Sequence, residues 1–271
     1  MSLGIKNFRS AEFKEAAKQH GLKNIYEDSF FRITCYEGEG DEVCLSFLGI
    51  GEGIGGISLQ KEEFFGTASA GCKRSVIFIF DKKRHWFHSH EKNKVLFDFI
   101  RNYCAEHSFK KTFAIGNSMG AFGALVATRY MKIDRILAIS PQYSMDLSII
   151  PEENRWKEWQ RRIPSFEVQT IDEGNFDNGL CFIIHGAKGI DSIHTAAFPK
   201  HRNIYHYVMP NEGHEAVKAI KAQGYLIPAV NTAFTGRIKD FHTLMLDKGL
   251  ILRERPNILQ GFINRIKMIF S

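Results

Sequence analysis

A serine between two glycines is the part of this sequence with the clearest capacity for chemistry. In "AIGNSMGAFGAL" (114–125), the residues Gly116-Asn117-Ser118-Met119-Gly120 follow the pattern G-x-S-x-G, with apolar residues before and small residues after. This order predicts a strand that turns sharply into a helix and exposes the serine hydroxyl, because side chains at the glycine positions would collide with neighbouring chain. A closely packed β–α turn with an incidental serine is the alternative interpretation.

A serine hydroxyl is a poor nucleophile at neutral pH and needs a base that a carboxylate orients. The best candidate base is His214 in "YVMPNEGHEAV", in a loop after the last predicted strand. Such a loop opens at the same edge of a parallel sheet as the turn at Ser118. His194 is the second candidate base, and a plain surface histidine is the alternative interpretation of His214.

The acid is expected in the loop after "LCFIIHG", where Asp191 is the only carboxylate of "HGAKGIDSIH". It could accept a hydrogen bond from His214 and stabilise the imidazolium that forms during attack. The alternative for Asp191 is a helix N-cap. Asp146 is the alternative acid, and Asp172 and Asp177 are more remote options.

Acyl transfer also requires donors for a developing oxyanion and a pocket for the substrate. The backbone N–H of Met119 is one expected donor, and Gly49 or Ile50 in "LGIGEGIGG" is the other. Asn117 beside the serine, and Trp86 and His88 in "RHWFHSH", are the predicted substrate-binding residues. His185, at the end of its strand, is expected to pack near the site.

Two other interpretations compete for these residues. Glycines 51, 53 and 56 have a spacing like that of phosphate-binding loops, but no Gly-Lys-Ser/Thr follows them. His85, His88 and His90 suggest a metal, but their spacing matches no familiar zinc pattern. The sequence therefore predicts neither a cofactor nor a metal.

Apolar runs alternate with helical patterns along most of the chain. Strands are predicted at 30–36, 42–49, 74–81, 111–116, 134–140, 180–186 and 204–209, and helices at 91–107, 118–131 and 214–223. This alternation predicts an α/β fold with a doubly wound, mostly parallel sheet and helices on both faces. The first two strands, joined by "EGEGD", are expected to form a hairpin at an antiparallel N-terminal edge.

We expect one domain over 1–271. A small insertion or lid near 141–179, with the lid proper at 151–172, interrupts the alternation, and a helical tail is expected over 240–271. Within the tail, residues 255–270 form an amphipathic pattern. Docking on the core is its simplest role, and a basic membrane contact is the alternative.

Composition excludes several classes of protein. The 271 residues are 44% hydrophobic, and the 36 basic residues are scattered among 30 acidic ones, which argues against nucleic-acid binding. Five cysteines without a Cys-x-x-Cys pair suggest core thiols in a reducing compartment. With no visible secretory signal and no apolar run near the ~20 residues that a membrane span needs, we expect a cytoplasmic protein without stable membrane insertion.

The residues over roughly 30–225 resemble the α/β-hydrolase superfamily, in the strand alternation, the G-N-S-M-G turn and the late "NEGH" that ends at His214. The resemblance implies Ser118 as nucleophile, His214 as base and Asp191 as acid. In two places the sequence departs from the family. Gly189 stands where H-G-x-x-D has its aspartate, and Leu48-Gly49 stands where the oxyanion strand often ends His-Gly.

The stretch "GNSMGAFGAL…RILAISPQ" also looks similar to hydrolase-like proteins associated with bacterial surface-glycan modification. The predicted function is therefore a serine hydrolase of the carboxylesterase type, which cleaves an ester, thioester or amide through an acyl-serine. The first alternative is an acyltransferase or deacetylase that acts on a sugar or glycan hydroxyl. The second is a non-catalytic binding protein on a hydrolase scaffold.

Overall fold

A mixed sheet of nine strands forms the frame of the molecule in the computed structural model, which describes residues 21–51, 60 and 62–254. The strands are β1 (Lys23–Glu27), β2 (Phe31–Tyr36), β3 (Glu42–Phe47), β4 (Ser75–Asp81), β5 (Lys111–Asn117), β6 (Arg135–Ile139), β7 (Leu180–Gly186), β8 (Ile204–Met209) and β9 (Ile251–Leu252). Their order across the sheet is β1-β2-β4-β3-β5-β6-β7-β8-β9. The six strands from β4 to β8 in this order run parallel.

Antiparallel strands close both edges of the sheet. On the N-terminal side β1 pairs with β2 and β2 pairs with β4, and on the far side β9 pairs with β8. The predicted fold class, with its antiparallel N-terminal edge, is therefore confirmed.

The predicted hairpin of β2 and β3 is wrong, because β4 lies between these two strands. The burial of the strands gives the reason. β2 alternates between buried and half-buried residues, as suits a strand near an edge, whereas β3 is buried from Val43 to Phe47. A strand covered on both faces and along both sides needs two neighbours, and β3 has β4 and β5 as parallel partners.

Helices cover both faces of the sheet. They are α1 (Phe65–Ala68), α2 (His90–Glu106), α3 (Met119–Val126), α4 (Lys157–Gln160), α5 (Ile190–Ala197), α6 (Ala216–Ala222), α7 (Leu226–Phe234) and α8 (Ile238–Asp247). One core packs α2 and α3 against one face of the sheet, and a second core packs α6, α7 and α8 against the other. Alternate residues of a central strand serve the two cores: in β4, Ile77 and Ile79 face the first, whereas Val76 and Phe78 face the second.

The predicted insertion contains little regular structure. Between β6 and β7 the chain forms only the short α4 and a 3-10 turn at Ile171–Glu173. The predicted helical tail is partly wrong. Helix α8 ends at Asp247, and Ile251–Leu252 then pair with β8 as an edge strand. Residues 255–271, including the amphipathic pattern, lie outside the described residues.

All five cysteines are free thiols, and four of them are buried. In the part of the chain that the structure describes, no helix has both the length and the apolar character needed to cross a membrane.

Candidate active site

Ser118 occupies the turn between β5 and α3 in a backbone conformation that L-residues seldom adopt, with φ 55° and ψ −122°. Its N–H donates to the carbonyl of Ile139 at 2.9 Å, which holds the turn against β6. A Cβ on Gly116 would lie 2.3 Å from the carbonyl carbon of Gly120, and a Cβ on Gly120 would lie 2.1 Å from the carbonyl oxygen of Phe47. The turn is therefore possible only with glycine at both positions.

His214 and Asp191 meet this serine. The Oγ of Ser118 donates to Nε2 of His214 at 2.8 Å, and Nδ1 of His214 lies 3.0 Å and 3.1 Å from the two carboxylate oxygens of Asp191. These contacts require the proton on Nδ1 and leave Nε2 free to accept. Burial alone raises the pKa of Asp191, but the bonds and charges of His214 and Arg155 outweigh it and hold that pKa below its ordinary value.

Asp191 lies in the first turn of α5, whose N-cap is Gly189. The opening turn of this helix places the carboxylate of Asp191 beside His214. The N-cap alternative for Asp191 is not what the structure shows.

The alternative candidates have other partners. Asp146 accepts from the N–H of Ser148 in its own loop, Asp172 accepts from the hydroxyl of Tyr143, and Asp177 pairs with Arg202.

The alternative base, His194, bonds to the carboxylate of Glu153 at 2.8 Å. Of the residues that the sequence offers as nucleophile, base or acid, the structure brings together Ser118, His214 and Asp191.

Gln142 is a residue of the site that the sequence reasoning missed. It follows β6 and is fully buried, and its Nε2 donates to the Oγ of Ser118 at 3.1 Å. Its Oε1 accepts from Nε1 of Trp86 at 3.1 Å, which fixes the orientation of the amide. Its position was a usable signal, because the carboxyl ends of β5 and β6 are neighbours at one edge of the sheet.

The predicted oxyanion donors occupy different environments. The N–H of Met119 opens α3, where backbone donors have no acceptor within the helix. The N–H of Gly49 instead donates to Oε2 of Glu63 at 3.3 Å, and burial raises the pKa of this carboxyl to about 7. The N–H of Gly49 is therefore already engaged, and the choice between Gly49 and Ile50 as an oxyanion donor stays a prediction. Glycines 53 and 56, of the phosphate-loop interpretation, lie outside the described residues.

A strained loop after β4 connects several parts of the site. Arg84, Trp86 and Phe87 all have φ between 52° and 53°, in the left-handed region. Nε of Arg84 donates to the carbonyl of Ile50 at 3.3 Å, while Trp86 holds Gln142. The loop thus supports both the candidate oxyanion segment and the group that contacts the serine.

His88, at the end of this loop, is buried. Its Nδ1 bonds to the carbonyl of Val168, and its ring packs against Phe122 and Phe166. Burial lowers the pKa of His88 to about 3. Its contacts are those of a residue that fastens the insertion to α3, and a substrate-binding role for Trp86 and His88 stays a prediction.

Asn117 and the remaining histidines singled out in the sequence lie in different surroundings. Oδ1 of Asn117 is buried and has no hydrogen-bond partner among the described residues. His85 bonds to Asp81, and His90 bonds to Tyr130. His185 is fully buried and bonds to His206. Within residues 21–51, 60 and 62–254, no group of His, Cys, Asp or Glu side chains is arranged to hold a metal ion.

The insertion covers one side of the site. The indole of Trp156 lies with its centroid 6.5 Å from that of the His214 ring and 6.4 Å from that of Trp86. Only 5% of the surface of Ser118 is exposed. The serine is therefore held in a largely enclosed position.

No family model and no curated protein matches the chain. Among solved structures, a capsule O-acetyltransferase of Neisseria meningitidis serogroup A superposes with a TM-score of 0.55 and 13% identity, over 78% of this chain and 95% of the other. An esterase of Pyrococcus furiosus gives a TM-score of 0.53 and 12% identity, over 81% and 94%. A glycosylation-associated protein complex of Streptococcus agalactiae gives 0.52 and 14%, over 80% of this chain and 47% of that one.

The chain has the α/β-hydrolase fold. At these identities the likeness concerns the α/β-hydrolase fold alone, and it agrees with the sheet order and the turn at Ser118. Of these neighbours, one is named as a capsule O-acetyltransferase and one as an esterase.

Proposed function

We propose that this protein is a serine hydrolase that cleaves a carboxylic ester through an acyl-serine intermediate. The observation that carries the proposal is the unbroken chain of hydrogen bonds from Oγ of Ser118 through both ring nitrogens of His214 to the carboxylate of Asp191. In this arrangement the serine has a base within reach and the base has a group that fixes its tautomer.

The proposed reaction begins with attack of Oγ of Ser118 on the ester carbonyl carbon while Nε2 of His214 takes the hydroxyl proton. The carbonyl π electrons move to its oxygen, which the N–H groups of Met119 and Ile50 stabilise. Collapse of this intermediate breaks the bond to the alcohol, which leaves with the proton from His214. Water then attacks the acyl-serine with the same help from His214, and the acid and the free Ser118 are released.

Gln142 fits this sequence as a donor to the reacting oxygen. Its Nε2–H bonds to Oγ of Ser118, so it stabilises the negative charge that develops on this oxygen as the proton leaves. It also aims the hydroxyl, since Oγ is held between Gln142 and His214. A thioester or an amide would pass through the same steps.

Acyl transfer to a hydroxyl, of a sugar or glycan, is the second candidate. The enclosure of Ser118 beneath Trp156 favours it, because a transferase must keep water from the acyl-serine. The neighbour of similar fold from Neisseria meningitidis is named as a capsule O-acetyltransferase, and transfer of an acetyl group to a hydroxyl is the chemistry of that name.

Labelling with a fluorophosphonate probe tests whether Ser118 is an activated nucleophile. We expect the wild-type protein to be labelled, and Ser118→Ala and His214→Ala not to be. A folded wild-type protein that takes no label would instead support a binding role. For a labelled protein, the partition of an acyl donor between water and an added sugar alcohol separates hydrolysis from transfer.

A further inference from the structure

The insertion reaches the acid of the site through Arg155. Nη1 of Arg155 lies 2.6 Å from Oδ1 of Asp191, the residue whose carboxylate also faces His214. Oδ1 of Asp191 is therefore shared between a guanidinium from the insertion and an imidazole from the loop after β8. Oδ2 contacts the imidazole at 3.0 Å.

Arg155 is itself held by a buried carboxylate. Its Nε lies 3.0 Å and 3.2 Å from the two oxygens of Glu153, and Nη2 also bonds to Glu153. Glu153 is fully buried. Burial raises the pKa of this carboxyl, but the bonds from Arg155 and His194 outweigh it and bring that pKa to about 2. The guanidinium thus has little freedom to rotate away from Asp191.

His194 closes the arrangement on the same helix that carries Asp191. Nδ1 of His194 accepts from the N–H of Tyr143 at 3.0 Å, so Nε2 carries the proton that bonds to Glu153. His194 and Asp191 are three residues apart on α5 and lie on one side of it. The bonds therefore form a ring that runs from Asp191 through Arg155, Glu153 and His194 back to α5.

Resting on the function proposed above, we propose that Arg155 is a positioning residue that holds the carboxylate of Asp191 against His214 and takes a share of its charge. The first effect fixes the imidazole for proton transfer. The second makes the carboxylate a weaker partner for the imidazolium, so the base gives up its proton at a lower pH than with Asp191 alone.

Among the described residues, two other carboxylates near the pair have partners of their own. Glu215, next to His214, pairs with Lys218, and the ionised carboxylate of Glu153 pairs with Arg155 and bonds to His194. Burial lowers the pKa of His185, which interacts electrostatically with both Asp191 and His214, to about 4. Arg155 is thus a permanent cation in direct contact with the pair.

The experiment compares Arg155→Met, Arg155→Lys and wild type, with Arg129→Met as a matched control. Arg129 also pairs with a carboxylate of the insertion, Glu173, but does not contact the pair. Two midpoints are measured: NMR titration of the His214 imidazole, which needs no turnover, and the acidic limb of the pH profile of kcat/KM.

In Arg155→Met we expect both midpoints to rise by about one pH unit. Arg155→Lys keeps the positive charge but lacks the planar guanidinium. We therefore expect both midpoints to stay at their wild-type values, kcat to fall about tenfold and KM to stay unchanged. Arg129→Met is expected to match wild type in every measurement.

Arg155→Met leaves the carboxylates of Glu153 and Asp191 buried with fewer partners and can fail to fold. The double variant Glu153→Gln/Arg155→Met removes one of these charges, and there we expect a smaller rise in the same direction. Unmoved midpoints in either folded variant overturn the proposal, as does the failure of both to fold, which would make the role purely structural. Absence of fluorophosphonate labelling in wild type would contradict the proposed function, but the NMR titration would still test Arg155.

Discussion

Nε2 of His214 lies 2.8 Å from Oγ of Ser118, although 96 residues of chain separate them. The contact exists because β5 and β8 end at the same edge of a parallel sheet, with β6 and β7 between them. The turn at Ser118 projects the hydroxyl from that edge, and the loop after β8 returns the imidazole to it. The remaining features of the site support this one relationship.

Replacing Asp191 tests the proposed orientation of His214. In Asp191→Asn the amide can donate to Nδ1 of His214, which places the ring proton on Nε2, where it cannot receive the serine proton. We expect kcat for ester hydrolysis to fall by roughly a thousandfold or more. Asp146→Asn is the matched control, since Asp146 bonds within its own loop, and it should keep wild-type turnover. Near-normal rates in Asp191→Asn would remove Asp191 from the mechanism.

Gln142→Met tests the hydrogen bond that the amide of Gln142 donates to Oγ of Ser118. The variant keeps the length of the side chain but removes the N–H at 3.1 Å from Oγ of Ser118, so we expect kcat/KM to fall about a hundredfold. Trp86→Phe removes only the indole donor that orients Gln142 and should cost less, about tenfold. Equal losses in the two variants would indicate that packing, rather than the bond to Ser118, determines the effect.

The geometry of the turn predicts that Gly120→Ala is poorly tolerated. The added methyl would lie 2.1 Å from the carbonyl oxygen of Phe47, and backbone must move to relieve the contact. We expect a loss of roughly 3 kcal/mol or more in the free energy of unfolding, measured by urea denaturation. The control is Gly66→Ala in α1, where the methyl meets nothing within 4 Å and where alanine favours the helix. A wild-type stability in Gly120→Ala would contradict the described turn.

The raised pKa of Glu63 predicts that the free energy of unfolding depends on pH. Burial raises its pKa from 4.5 to about 7, so between these values the folded chain holds a proton that the unfolded chain has lost. The stabilisation from this proton is therefore full below pH 4.5 and is lost as the pH rises through 7. We expect Glu63→Gln to be more stable than wild type by about 2 kcal/mol at pH ~8 and nearly equal to it at pH ~4.5.

Urea unfolding at the two pH values measures this difference, with Glu62→Gln as the control on the neighbouring residue. Glu62, whose carboxylate accepts from the hydroxyl of Thr34, controls for the loss of a carboxylate from the same segment. A gain in Glu63→Gln that is the same at both pH values would show that the carboxyl does not titrate as described.

Local patterns were sufficient to predict much of the fold. A few neighbouring residues are enough to recognise the glycine-flanked serine, the buried runs of β4 to β8 and the helical spacing of α2. The order of these elements along the chain implied the parallel sheet. The hairpin of β2 and β3 was wrong because "EGEGD" signals a turn but not which strand lies beside which. That β4 inserts between them depends on burial across the whole sheet.

The same distinction holds for the candidate site. Ser118, His214 and Asp191 follow strands that end at one edge, so their proximity could be predicted, and their roles stay predictions. Arg155 and Glu153 lie in an irregular insertion with no periodic signal, and their contacts with α5 span 36 and 41 residues. Glu63 likewise bonds to Gly49, which is 14 positions away in the chain. Pairings of this kind depend on the packing of the complete chain.

The most direct test of the central claim is rapid-quench mass spectrometry after mixing with p-nitrophenyl acetate. We predict that one acetyl group appears on the peptide containing Ser118 before steady-state turnover, and that Ser118→Ala and His214→Ala carry none. Turnover with no acetyl group on Ser118, or an acetyl group that persists in Ser118→Ala, would contradict it.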